Sequence, residues 1–192
     1  MAEALASDAE LVARARGGDG GAFGELIRRH HARIAGLCVS LLGGPSQADD
    51  AAQEIFLKAY QSLDKFRGTS AFSTWLYRIA SNHCLDVLRA QSRRRSESLE
   101  AALEHEGGRL ERLLTEPDAQ KKAEDADLVE RALGALPPDY RLILTLRESQ
   151  GLSYEEIMET MDCSMDSVKA RLRRARESLE EVLRHILGPE GV

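Results

Sequence analysis

Apolar residues in this chain recur in steps of three, four and seven. Phe23, Leu26, Ile27, Ile34, Leu37, Cys38, Leu41 and Leu42 fall on one stripe, a spacing that fits the 3.6-residue turn of an α-helix and not the alternation of a strand. Ala52, Ile55, Phe56, Ala59, Tyr60 and Leu63 form a second inward stripe, and Phe72, Leu76, Ile79, His83 and Val87 a third. Stop signals separate them. Gly17-Gly18 ends a short helix over Asp8–Arg16, and Gly43-Gly44-Pro45 ends the first long one. Ser46 is placed to cap the next helix, with Asp49 three residues on as a capping-box variant. After the loop Arg67-Gly68-Thr69-Ser70, a longer helix is expected from about Ala71 to Arg93. Leu, Ala, Arg and Glu dominate while Val and Ile are scarce and aromatics reach only 5 %, which favours helices over sheets. The expected class is all-α.

The pattern breaks between Ser96 and Glu124. From Glu97 to Glu130 there are eleven acidic and four basic residues, with Gly107-Gly108 and Glu116-Pro117 among them. This reads as a flexible acidic linker with at most one short helix. Helical spacing resumes near Ala126 and runs to Leu136; Pro137-Pro138 makes a turn and a helix start. Tyr140 to Leu146 is helical and ends by Gly151, and Ser153 with Glu156 caps a short helix to Met161. Ser164 caps a last helix through Ile186. Two small helical domains follow, residues 1–95 and 126–192, joined by the tether 96–125.

Several classes drop out. No apolar run approaches the roughly 18 residues of a membrane span, and the start MAEALASDAELVARAR lacks the basic-then-apolar order of a signal peptide; a cytoplasmic protein without membrane insertion is expected. Cys38, Cys84 and Cys163 are far apart in sequence, so reduced thiols are expected. His30 and His31 are adjacent, and helix neighbours point about 100° apart, a poor grip on one metal. No paired nucleophile and base and no phosphate loop is present. An enzyme, a metal and a cofactor are therefore not expected. Net charge is −6, but the acid is concentrated between two basic stretches, Arg89 to Arg95 and Lys169 to Arg176, and that distribution matters more than the sum.

Three constellations carry chemistry. In LSYEEIMETMDCSMDSVKARLRRARESL, a tight turn at Met161-Asp162-Cys163 joins two helices at a steep angle. Val168, Leu172, Ala175, Leu179 and Leu183 should be buried, leaving Lys169, Ala170, Arg173 and Arg174 outward with Arg171 and Arg176 flanking. A cationic helix face of this kind fits the major groove, and the helix start at Ser164 and Ser167 offers donors to a phosphate. In FRGTSAFSTWLYRIASNHCLDVLRAQSRRR, Arg78, Asn82, Asp86, Arg89 and Arg93 share one helix face beside Trp75, Tyr77 and the loop residues Arg67, Thr69 and Ser70. Cations, amides and aromatics together suit unpaired bases, although Trp75 alone reads better as a core aromatic. In QADDAAQEIFLKAY, an outer face of Asp50, Gln53, Glu54, Leu57 and Lys58 exposes a leucine among charges, as a partner-binding face does.

The string QEIFLKAYQSLDKFRG followed by AFSTWLYRIASNHCLDVLR resembles region 2 of the extracytoplasmic-function sigma factors, and LPPDYRLILTLRESQGLSYEEIMETMDCSMDSVKARLRRARESL resembles their region 4. The resemblance spans about Leu11 to Arg95 and Ala126 to Leu187. It implies a region 2 bundle and a region 4 helix-turn-helix, with core RNA polymerase as partner through its beta-prime clamp and beta flap. The clamp would meet Asp50, Gln53, Glu54, Leu57 and Lys58. The loop Arg67 to Ser70 and the face of Arg78, Asn82, Asp86 and Arg89 would handle the melted −10 element, and Lys169, Ala170, Arg173 and Arg174 the −35 duplex. It further implies an anti-sigma factor and a stress or envelope-response regulon. Ala170 departs from the Ser that many members carry. Asp86 cannot donate to a base and is suited to accept or to orient Arg89 or Arg93. The rival reading is a stand-alone helix-turn-helix regulator of duplex DNA, but the first 95 residues show no strands for a receiver or ligand domain.

Overall fold

The computed structural model describes residues 6–103, 128, 129 and 131–187, with residues 94–103 described as helical backbone only. Expectations about the acidic residues 104–127 lie outside that range. The helices are α1 (Asp8–Arg16), α2 (Gly20–Leu42), α3 (Pro45–Gln61), α4 (Phe72–Leu103), α5 (Pro138–Leu144), α6 (Tyr154–Met161) and α7 (Met165–Leu187), with a 3₁₀ turn at Leu63–Lys65, a π-helical turn at Thr145–Ser149, and residues 131–135 also helical. No strand occurs among the described residues.

Local chemistry explains most boundaries. Ser7 and Glu10 close a full capping box on α1, and Ser153 with Glu156 does so on α6 as expected. Asp19 caps α2 by accepting from the Ala22 amide at 3.1 Å. The third helix differs from expectation. It starts at Pro45, whose missing N–H costs nothing at a first helical position. Its N-cap is Gly44 at φ +37°, without a side-chain cap, so Ser46 lies inside the first turn. The helix-turn-helix corner is set by Asp162 at φ +51°, a left-handed conformation that Asp tolerates better than most residues.

The buried side chains Leu26, Ile34, Leu37, Leu41, Ile55 and Leu76 fill the first bundle, and Leu142, Ile143, Leu146, Ile157, Val168 and Leu172 the second. Three expectations need correction. Tyr60, placed inward with α3's stripe, is 50 % exposed and packs its ring 4.9 Å from Phe23 at the bundle's edge. α4 continues ten residues past Arg93 to Leu103, into the segment read as linker. Leu179 and Leu183 are only partly buried, because α7 outruns the helices that cover its first half. A π-helical turn follows α5 directly, with the Gln150 amide donating to Thr145 O at 3.0 Å.

The two bundles also touch. α4 packs on α6 and α5, and α2 packs on α5 and the π-helical turn. Tyr77 Oη donates to Gln150 Oε1 at 2.9 Å and Arg141 Nη1 to Leu41 O at 2.8 Å. Cys38 and Cys84, remote in sequence, lie on α2 and α4 with sulfurs 3.8 Å apart, both fully buried and unbridged.

Candidate nucleic-acid interface

The amphipathic pattern of α7 fixes which residues face out. Val168, Leu172 and Ala175 are buried, so the intervening Lys169, Arg173 and Arg174 are exposed. Ser164 Oγ accepts the Ser167 amide at 3.3 Å, which ties down both residues at the helix start. The five cations are not equivalent. Arg176 is held by Glu148 at 2.8 Å and Arg173 lies 3.4 Å from Glu177, while Lys169 and Arg174 have no ion-pair partner among the described residues. Ala170 is half-buried. Arg171 is half-buried too and lines a cavity of about 270 Å³ with Arg89, Asn82 and Asp139. It therefore turns toward α4, on the flank of the outward face where the sequence placed it.

A second surface lies on α4. Arg78, Asn82, Asp86, Arg89 and Arg93 are all exposed along one face. Arg89 Nη1 reaches Asp86 Oδ1 at 3.2 Å, and Arg78 reaches Asp162 of the helix-turn-helix corner at 3.0 Å. The preceding loop turns at Gly68, φ +72°, where a side chain would be strained. It leaves Arg67 and Thr69 exposed and Ser70 half-buried. The Arg16 guanidinium donates to the carbonyls of Leu63, at 2.9 Å, and of Phe66, and Phe66 packs on Phe72 and Trp75 with ring centroids 5.8 and 5.2 Å away. Trp75 is thus a half-buried member of an aromatic cluster that braces the loop. Tyr77 is corrected: it is 3 % exposed beneath Gln150, so in this arrangement its ring offers no stacking platform.

The third face is on α3. Asp50, Gln53, Glu54 and Leu57 are exposed, Leu57 by 56 %. Leu57 borders an apolar groove of about 350 Å³ with Phe23, Ile27, Phe56 and Tyr60, in which His31 stacks on Phe56. Lys58, grouped with this face in the sequence, instead reaches His83 Nδ1 at 2.6 Å. His30 is bound to Asp8 at 2.7 Å. No group of three potential metal ligands occurs among the described residues.

His83 is 7 % exposed. Burial, and then the Lys58 charge, push its pKa below the ordinary 6.5, while Glu54 and Asp86 oppose that shift. A depressed histidine contributes stability that is complete above pH 6.5 and is lost as pH falls toward the folded value, where the unfolded chain takes the proton first. Thermal melts are expected to show the melting temperature falling from pH 7 to pH 5, with a shallower fall in His83→Asn. Equal slopes would show that other groups carry the acid sensitivity.

Residues 26–94 match the family pattern Sigma-70 region 2 and residues 126–179 match Sigma-70, region 4. The chain is 41 % identical over 191 residues to the ECF RNA polymerase sigma-E factor of Escherichia coli, covering 97 % of this chain and 99 % of that one. The chain belongs to the extracytoplasmic-function sigma factors. The RNA polymerase sigma-H factor of Pseudomonas aeruginosa is 40 % identical over 184 residues, 94 % of this chain and 95 % of that one. Among solved structures, CnrH in complex with the cytosolic domain of CnrY is similar at TM-score 0.68 and 26 % identity, covering 91 % of this sigma factor and 96 % of that chain. The sigma factor RpoE in complex with the anti-sigma factor NepR from Bartonella quintana is similar at TM-score 0.60 and 25 % identity, covering 84 % and 96 %. No helix among the described residues of this sigma factor is long and apolar enough to cross a membrane.

Sequence reasoning missed the residues that join these surfaces. Gln61, Ser62 and Lys65 line a groove of about 410 Å³ with Asn82 and Asp86, and Gln150 and Asp162 hold the second bundle on α4. The lysines carried a readable signal, since Lys58 and Lys65 are seven apart; the Gln150 and Asp162 contacts had none.

Proposed function

We propose that this sigma factor binds core RNA polymerase through the Leu57 face, reads the −35 duplex with α7, and handles the melted −10 strand with the loop Arg67 to Ser70 and the Asn82 face of α4. The observation that carries this reading is a helix-turn-helix with exposed Lys169, Arg173 and Arg174 on a chain whose other bundle exposes amides, cations and a loop suited to unpaired bases. The catalytic step belongs to the polymerase, and the sigma factor itself is not an enzyme. It acts in the cytoplasm on a stress or envelope-response regulon, under an anti-sigma factor. The similar RpoE and NepR pair supports that last point.

Reconstituted transcription decides between this and a stand-alone duplex-binding regulator: promoter-dependent initiation must require both core polymerase and this chain. Duplex binding by the free chain, with no effect on the polymerase, would favour the alternative. Within α7, Arg174→Ala is expected to cost about 1–3 kcal/mol and relax sequence preference at one −35 position if it makes a bidentate base contact. A uniform loss across a −35 library would reassign it to phosphate, and no loss would remove it from the interface.

A further inference from the structure

The Lys58 ammonium can only donate hydrogen bonds. Its 2.6 Å contact with His83 Nδ1 therefore requires a bare Nδ1 and puts the ring proton on Nε2, which faces Glu54 Oε2 at 3.7 Å. Burial of the ring keeps it neutral near pH 7, so the acceptor persists under working conditions. Lys58 lies on α3 one turn after Glu54, and a free lysine there would sample the polymerase-facing side with it. The imidazole instead holds the ammonium at a groove of about 410 Å³ between α3 and α4, which Lys65, Gln61, Asn82 and Asp86 also line. Two ammonium groups beside two amides and a carboxylate match the parts of an unpaired nucleotide: cations for its phosphates, and mixed donors and acceptors for the edge of its base.

We propose that buried His83 is a positioning residue that fixes the Lys58 ammonium in the groove beside Asn82, so that Lys58 contacts a phosphate of the melted promoter strand and not the polymerase. The inference rests on reading the Asn82 face as the single-strand site. His83 touches no DNA; its contribution passes through Lys58. The face drawn from the sequence for the polymerase then comprises Asp50, Gln53, Glu54 and Leu57, and Lys58 joins the promoter side.

The test uses holoenzyme and a duplex selected by the wild-type holoenzyme from a randomised promoter library, alongside the same fragment with its −10 region pre-melted. His83→Leu and Lys58→Met are each expected to weaken binding to the pre-melted fragment about fivefold and to lower the salt slope by about 0.7, the loss of one single-strand phosphate contact. Core affinity should stay within about twofold, since rim contacts on the polymerase side are unaltered. The double variant should be no weaker than either single one, because both remove the same contact. His83→Asn, whose side-chain oxygen replaces Nδ1, should restore binding, whereas His83→Gln, whose oxygen reaches toward Nε2, should not. A merely structural histidine would not separate those two. If His83→Leu fails to fold, Lys58→Met at an exposed position and the Asn and Gln pair carry the test. Loss of core affinity in Lys58→Met, additive effects in the double variant, or unchanged binding in Lys58→Met would overturn the proposal. Asn82→Ala separates the two layers: if it too leaves pre-melted binding unchanged, the single-strand reading of the face fails, whereas a loss there with none in the His83 variants refutes the positioning role alone.

Discussion

Replacing Leu172 by alanine is expected to remove about 3 kcal/mol from the helix-turn-helix unit, within the roughly 2–5 kcal/mol typical of buried Leu→Ala changes. Leu172 is 1 % exposed and sits between Val168 and Ala175 on the face of α7 that packs on α5. A unit of this size has a small core, and net stabilities of about 5–15 kcal/mol leave little margin for a cavity at its centre. The recognition surface exists only because that face is pinned, so −35 binding by holoenzyme should fall with helicity. Circular dichroism melts should show the loss. Leu183→Ala is the control: Leu183 is only half-buried, and about 1 kcal/mol or less is expected there, in proportion to the area it hides. Equal losses at the two positions would mean that the whole stripe of α7 is core, contrary to the burial seen.

That contrast also shows where the sequence was legible. Steps of three and four located α1, α2, α6 and α7, because amphipathic spacing and caps are local properties. The same spacing put Tyr60 inward and Leu183 in the core, because periodicity says which residues share a face but not how far a partner helix extends to cover it. Tyr77 failed for a related reason. With Ser81 and Leu85 it makes a second buried row on α4, yet a serine in that row hides it from an apolar count, and its cover comes from Gln150, 73 residues away. Cys38 and Cys84 meet across α2 and α4 for the same non-local cause. The three candidate surfaces were readable as faces. Their internal pairing was not: Lys58 meets a histidine on another helix, Arg171 lines a cavity beside α4, and Arg176 is paired with Glu148.

Arg141→Ala is expected to release the helix-turn-helix unit from the first bundle and to raise the open population of the free chain about tenfold. The polar ties across the seam differ in strength. Arg78 and Asp162 form an ion pair whose side chains are 48 % and 79 % exposed; water competes for both, and such pairs contribute about 0–1 kcal/mol. Arg141 is half-buried, enough to pull its pKa down. Its guanidinium donates across the seam to Leu41 O at 2.8 Å, and within its own unit to Gly134 O and, at 3.5 Å, to Leu136 O. A charge-assisted bond to a carbonyl that otherwise loses its partner is worth about 1.5 kcal/mol or more, which is tenfold in an equilibrium. Tyr77 and Gln150 keep their 2.9 Å bond across the seam in the variant, but no further polar tie replaces the lost one: the hydroxyls of Ser81 and Thr160 have no partner among the described residues, and both line the 270 Å³ cavity there. Scattering of the free chain should show a larger radius of gyration in Arg141→Ala and almost none of that change in Arg78→Ala; an unchanged radius in Arg141→Ala would refute the latch. Two promoter elements one and a half to two duplex turns apart need roughly 50–70 Å between their readers, at about 34 Å per turn, so the closed arrangement cannot serve both at once. A polymerase must therefore supply contacts that outweigh the latch, and a protein that grips both bundles while they are closed needs only to add to it. The same substitution should accordingly speed holoenzyme assembly and weaken any partner that binds the closed form, two shifts of opposite sign from one substitution.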